Sequence, residues 1–252
     1  MQTKLFSPRR AVLGLALLPL ALGLAACGKK EEAGAAAVGA PLNAVPPPAG
    51  KAWTDVVSVT PEGGYRMGNP EAPIKLIEFA SLTCSHCAEF AEKGFPSLRD
   101  NYVAKGIVSL EFRNFVRDPY DTTMAMLVRC GSPESFFALT EQVFANQAAI
   151  FEGLKPVGPE LQAANLPPAQ IFSAIGSRGG LNDFFAARGI AKDQAAQCLA
   201  KSETATKLAD DTQKAGDTFN VTGTPTFIVN GRNAEVASWD ALEPILKQAG
   251  AR

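Results

Sequence analysis

Cys84-Ser85-His86-Cys87 sets two thiols three residues apart around the only histidine of a 252-residue chain. Three chemistries suit such a pair: a metal clip, a structural disulfide, and a redox centre that trades electrons with other thiols. A structural zinc site wants four ligands, and the chain has no second histidine and no second C-x-x-C. Copper(I) needs fewer, so a copper-handling role stays open as an alternative. As a staple within an interaction protein the pair is poor, because the ring it closes is very short. Redox exchange uses the spacing best. On the first turn of a helix, residues three apart share a face, close enough to form and break a disulfide. Unpaired N–H groups and the positive end of the macrodipole then favour a thiolate at Cys84, with His86 adding positive charge or a hydrogen bond. Stabilising the thiolate stabilises the reduced form and makes the disulfide form a stronger oxidant. Cys84 is expected to be the exposed sulfur that is attacked, and Cys87, one turn deeper, the resolving one.

The flanking sequence supplies the elements that would hold this turn. The near-continuous apolar run of Ile74, Leu76, Ile77 and Phe79 predicts a strand buried on both faces, and Cys87, Phe90 and Ala91 follow at helical spacing up to Gly94-Phe95-Pro96. Residues 106–115, GIVSLEFRNF, predict a second strand, so strand, helix and strand form a β-α-β unit of an α/β sheet. Ahead of it, residues 55–59 and 65–67 predict a short strand pair around the Gly63-Gly64 turn. From Tyr120 to about Phe219 the spacing is helical throughout, with pieces predicted behind Ser132-Pro133 and over 168–175, 181–187 and 192–215. Strands return at 226–229 and near 234–236, joined by Asn230-Gly231, a strong hairpin signal, and a last helix is predicted over 239–248.

The first 26 residues read as a secretory signal: Lys4, Arg9 and Arg10 lead into an apolar stretch too short to favour a permanent span. The Leu24-Ala25-Ala26-Cys27 run resembles the lipobox of bacterial lipoproteins, which implies lipidation of Cys27; the alternative is ordinary cleavage near Ala25-Ala26 with Cys27 left as a spare thiol. The SPRRAVLG stretch loosely resembles a twin-arginine export signal. Residues 27–52, rich in Gly, Ala and Pro, read as lipid anchor and flexible tether. Loss of three of the 24 basic residues with the signal leaves 21 against 25 acidic ones, a net charge of −4. That balance lacks the basic clusters that nucleic acid needs.

Two stretches carry a family resemblance. GNPEAPIKLIEFASLTCSHC and FNVTGTPTFIVNG resemble the two halves of the DsbA-like thiol:disulfide oxidoreductases, and the likeness covers nearly all of 70–248. It implies a thioredoxin-like α/β fold, with β-α-β and β-β-α halves and an inserted α-helical domain. Residues 53–119 then form the first half, 120–218 the insertion and 219–252 the second half. It also implies that Cys84 and Cys87 are the redox pair and that Pro225 faces them through a cis bond, which Thr224-Pro225 adopts at modest cost. The Thr224 backbone would then be turned outward to receive an extended substrate as an added strand. Thr224 resembles the isomerases of the family rather than its best-known oxidase, and Ser85 stands where that oxidase has proline.

Glu78, six residues before Cys84 on the apolar strand, would have its proton affinity raised if buried, and could then accept the Cys87 proton; the alternative is an edge-facing glutamate in solvent. An acidic residue at this position is part of the resemblance. Cys130 and Cys198 are left over, and in an oxidising compartment they are expected to pair, the alternative being a second redox thiol. By the resemblance no metal or other cofactor is required. The substrates would be unfolded or reduced exported proteins, reoxidation would come from a quinone-linked membrane protein, and the chain would be a periplasmic, membrane-anchored monomer that donates disulfides. Reductase and isomerase roles are the alternatives in the same class. Leu82 and Phe90 are candidates either for a substrate groove or for the core.

Overall fold

A computed structural model describes residues 39–252. The signal and the lipidation site Cys27 lie outside the described residues, as does the first part of the tether. No described helix is long and apolar enough to cross a membrane.

Six strands form one sheet in the order β1-β2-β4-β3-β5-β6. β3 (Ile74–Ala80) and β4 (Val108–Asn114) run parallel at its centre. β1 (Val57–Val59) and β2 (Tyr65–Met67) extend the β4 side, while β5 (Thr226–Val229) and β6 (Arg232–Asn233) extend the β3 side antiparallel. The crossover from β3 to β4 carries α1 (Ser85–Lys93), α2 (Phe95–Leu98) and a π-helical turn at Arg99–Val103. Gly94 separates α1 from α2 where a side chain would not fit: a Cβ there would lie 2.7 Å from Trp239 Cβ.

Alternation along β3 divides the two faces of the sheet. Ile74, Leu76 and Ala80 join the main core with Phe90 of α1, and Glu78 shares their face. Phe79 points the other way, into a smaller core with Ala215, Val221 and Ile228. The expected burial on both faces holds for the second half of the strand but not the first, where Lys75 is exposed.

Between β4 and β5 the described chain is helical, in agreement with the insertion expected from sequence. α3 (Pro119–Val128), α4 (Phe136–Ala145), α5 (Gln147–Leu154), α6 (Val157–Ala164), α7 (Pro168–Arg178), α8 (Leu181–Ala186), α9 (Lys192–Leu199) and α10 (Ser202–Phe219) follow in order. The single helix expected over 192–215 is two helices, broken at Ala200-Lys201 where Lys201 leaves the helical region (φ −82°, ψ 85°). The expected strand at 234–236 is displaced to Arg232–Asn233. Asn230 and Gly231 both take positive φ (48° and 82°), which turns the chain at once into pairing with Ile228 and Val229. α11 (Trp239–Gln248) closes the domain over the predicted range.

Residues 39–52 depart from the free tether read from their composition. Gly39 N–H donates to Gln248 O, Leu42 N–H to Gly250 O, and Val45 N–H to Lys105 O, while Trp53 Nε1 donates to Val45 O at 2.7 Å. Backbone hydrogen bonds along an extended segment need no apolar side chains, so composition did not reveal them.

Candidate active site

β3 delivers the chain to Ser81 at the end of the sheet, and a tight turn follows in which Cys84 N–H donates to Ser81 O at 3.1 Å. Cys84 is extended (φ −89°, ψ 122°) and occupies the N-cap of α1, so its sulfur meets the free N–H groups of the first turn. Cys87 is one turn in. Both are free thiols, and both are buried. Cys84 keeps 3% of its surface and Cys87 none, so the expected order of depth holds while the expected exposure of Cys84 does not. The chain before Pro225 covers it: the Thr224–Pro225 bond is cis, and Cys84 Sγ donates to the Thr224 carbonyl oxygen at 3.2 Å. That carbonyl therefore faces the sulfur.

The electrostatics separate the two sulfurs. Cys84 is lowered to about 4, first by the hydrogen bond from the Cys87 thiol, then by the Thr224 side chain and the backbone N–H groups of Cys87 and His86, against an opposing effect of burial. Thr224 Oγ1 is buried without a hydrogen-bond partner beside the protonated sulfur. Ionisation supplies the acceptor it lacks. Cys87 is pushed far up, above all by burial, then by the hydrogen bond it gives Cys84 and by the charges of Glu78 and Cys84.

Glu78 is 3% exposed and paired in the sheet between Phe112 and Phe227, which excludes the edge-facing alternative. Burial raises it to about 8, with a smaller push from the Cys84 charge. A carboxyl with that affinity is mostly protonated at neutral pH and can give or take a proton in each cycle.

His86 does not reach the sulfurs with its imidazole as the sequence suggested. The ring is 74% exposed, with Nδ1 3.9 Å from Glu89 Oε2, because a residue at the second helical position points away from the face shared by Cys84 and Cys87. Its contribution is the backbone N–H. Ser85 is exposed, and Leu82 and Phe90 belong to the core, at 0% and 3% exposure. Among the described residues no group of three or more His, Cys, Asp or Glu side chains could hold a metal ion.

The turn is braced from the helical insertion by residues that sequence reasoning had not singled out. Asp121 of α3 accepts from Leu82 N–H at 2.8 Å and from Arg117 N–H at 3.1 Å, and burial raises its carboxyl to about 6. Asp118 caps α3 and accepts from Thr83 Oγ1, while Arg117 reaches Ser81 and Thr83. Gln147 of α5 donates to the carbonyl oxygens of both Leu82 and Cys84, at 2.9 and 3.1 Å. The Asp118-Pro119 pair was a readable helix start. Gln147 carried no signal.

Cys130, just past α3, and Cys198 in α9 form a disulfide with Cα atoms 5.9 Å apart. The cysteines left over from the motif are thus bonded to each other, well separated in sequence from Cys84 and Cys87.

Fold and site together define a thioredoxin-fold protein whose first helix opens on a cysteine pair and whose sheet is interrupted by a helical domain. The Thioredoxin family model matches residues 60–248, and the chain belongs to that family. A solved protein-disulfide isomerase from Novosphingobium aromaticivorans is 36% identical with a TM-score of 0.68, covering 73% of this chain and 96% of that one. Wolbachia pipientis alpha-DsbA1, at 22% identity and a TM-score of 0.61, covers 76% of this chain and 92% of its own, and shares the fold. A putative protein-disulfide oxidoreductase of Rickettsia typhi is 25% identical over 184 residues, 73% of this chain and 60% of the relative. The chain thus matches about three-fifths of the length of such curated relatives.

Proposed function

We propose that this chain is an exported protein-disulfide oxidoreductase that donates the Cys84–Cys87 disulfide to reduced proteins. The observation that carries the reading is the Cys84 thiol held at about 4 by donors that converge on its sulfur. A substrate thiolate attacks Cys84 Sγ, the Cys84–Cys87 bond breaks, and Cys87 leaves as a thiolate that takes its proton from Glu78. The substrate's second thiolate then attacks its own sulfur in the mixed disulfide, and Cys84 departs as a stabilised thiolate. Two electrons pass from substrate to enzyme, and the substrate keeps the disulfide. Cys84 stabilisation favours the second step and makes the reduced enzyme the lower-energy product. A separate oxidant, in this reading a quinone-linked membrane protein, returns the pair to the disulfide. We further propose that the chain works as a periplasmic monomer, held to the membrane through lipid on Cys27, with Thr224 and Pro225 lining the substrate contact and Cys130–Cys198 serving structure alone.

Isomerase action is the second reading, favoured by the name of the 36%-identical structure and by threonine at position 224. The equilibrium reduction potential against glutathione separates the roles. A value well above the glutathione poise supports disulfide donation, whereas a thioredoxin-like value of about −270 mV would contradict it and favour a reductase. Scrambled-substrate refolding then distinguishes isomerase: catalysis there without a net oxidant, by an enzyme that oxidises reduced substrate poorly, would favour the second reading.

A further inference from the structure

At the end of the sheet, between β3, β4 and α10, lies a cavity of about 280 Å³, with Phe79, Ala215 and Phe219, from the face opposite Glu78, forming an apolar wall. Asn114 and Arg129 line its polar end. Asn114 is 4% exposed, its Oδ1 accepts from Arg129 Nε at 2.9 Å, and its Nδ2 has no hydrogen-bond partner. The Arg129 donor fixes the amide orientation, so the unmet group is a donor and not a misassigned acceptor.

Arg129 is acted on by the charge of Asp211 but bonds to no carboxylate among the described residues. Its Nη1 donates to Gly63 O at 2.9 Å, and its guanidinium lies over the Tyr65 ring at 5.2 Å. It forms no ion pair with a described carboxylate. The residue keeps part of its surface, but the guanidinium is far enough from water that burial pulls its proton affinity below the ordinary arginine value. Of the two carboxylates at the cavity, Asp211 acts on Arg129 through its charge while bonding Lys207 at 2.9 Å, and Glu62 lies 3.8 Å from Arg113. A desolvated cation and an adjacent unsatisfied N–H are costly unless an acceptor meets both.

We infer that this cavity is a binding site for a small organic carboxylate, whose anion bridges Arg129 and Asn114 Nδ2 and whose apolar body rests on Phe79 and Phe219. The volume is near the lower end for ligand pockets, about 300 Å³, which suits a small molecule and not a folded partner. Lys214, exposed on α10 at the rim and without an ion-pair partner among the described residues, adds a steering charge. The apolar wall of the site stands on the face of β3 away from the thiols.

The test is titration of the isotope-labelled full-length chain with phenylacetate and with hexanoate, read by amide shifts, beside the neutral isostere phenylacetamide. Saturable shifts around Phe79, Asn114, Arg129 and Phe219 are expected, with a dissociation constant below about 10 mM for at least one carboxylate and binding of phenylacetamide weaker by about tenfold. Asn114→Asp places a carboxylate against Arg129 from within. It is expected to weaken carboxylate binding by about tenfold or more while raising Tm. Lys214→Met, on an exposed helix face, is expected to fold normally and weaken binding by about twofold, so the idea remains testable if Asn114→Asp does not fold. Absence of saturation up to about 10 mM, equal binding of acid and amide, shifts confined to another surface, or undiminished binding by Asn114→Asp would each overturn the site.

Discussion

The two cysteine pairs of this molecule, one reduced and one bonded, differ in everything around them. Cys84 and Cys87 sit within one helical turn, where donors from Thr224 and the α1 backbone converge on one sulfur and a buried carboxyl stands behind the other. Cys130 and Cys198 are 68 residues apart and tie the end of α3 to α9. Loop length sets what each bond can do to the unfolded chain, and local electrostatics sets what it can do to another thiol. The first pair gains almost nothing from chain entropy and a great deal from its surroundings. For the second the weights are reversed.

Removing one sulfur from each pair breaks the comparison most sharply. Cys84→Ser should abolish thiol exchange, a loss on the order of a thousandfold or more in a reduced-substrate oxidation assay, and should lower Tm of the reduced protein at neutral pH, because the stabilised thiolate is gone. The double change Cys130→Ala and Cys198→Ala should cost roughly 4 kcal/mol in denaturant unfolding for a loop of this length and leave the reduction potential of Cys84–Cys87 where it was. A large shift of that potential would mean the two pairs are coupled.

Glu78 sharpens the first half of the comparison. Glu78→Gln should slow exchange by about a hundredfold at neutral pH, the usual scale for a lost proton-transfer group. Its stability signature has a definite sign. Because the folded carboxyl ionises near 8 and the unfolded one near 4.5, the folded chain holds the extra proton across that window, and stability falls as pH rises through it. Glu78→Gln should remove this fall, so its Tm advantage over the parent grows from about pH 4.5 to pH 8. Cys84 works the other way in the reduced chain: its contribution is complete above the ordinary thiol value near 9 and is lost as pH falls through about 4. Tm measured against pH for the reduced and oxidised chains separates the two slopes. A flat difference between parent and Glu78→Gln would remove Glu78 from the mechanism.

The smallest effects distinguish the donors at Cys84. Thr224→Val removes a hydroxyl that serves only the thiolate and should raise Cys84 by up to about one unit. His86→Ala should move it by less than about half a unit, since the backbone N–H survives the change. Thiolate absorbance of the two variants checks both; a larger effect from His86 would restore the imidazole to the site.

Legibility in the sequence follows range of interaction. The central strands, the turn into α1 and the final helix depend on local apolar spacing and on a motif contiguous in the chain, and all were readable there. Glu78 was legible because a lone charge in an apolar strand must either be an edge residue or be paid for by a raised proton affinity. What was hidden is non-local. The burial of Cys84 depends on Thr224, 140 residues away, and the brace on its turn comes from Asp121 and Gln147 of the insertion. His86 misled because spacing gives proximity along a helix but not the direction of the side chain. The break at Lys201 and the bonding of residues 39–52 to the body likewise have no periodic trace.

Titration of the Cys84 thiolate by ultraviolet absorbance in the reduced chain, with Cys130–Cys198 intact, tests the central claim most directly. The account predicts a midpoint at about 4, with Cys87 still protonated well above the ordinary cysteine range. A single transition near the unperturbed thiol value of about 8.5 would contradict it: the donors around Cys84 would then not stabilise the thiolate, and the reading as a disulfide donor would fall.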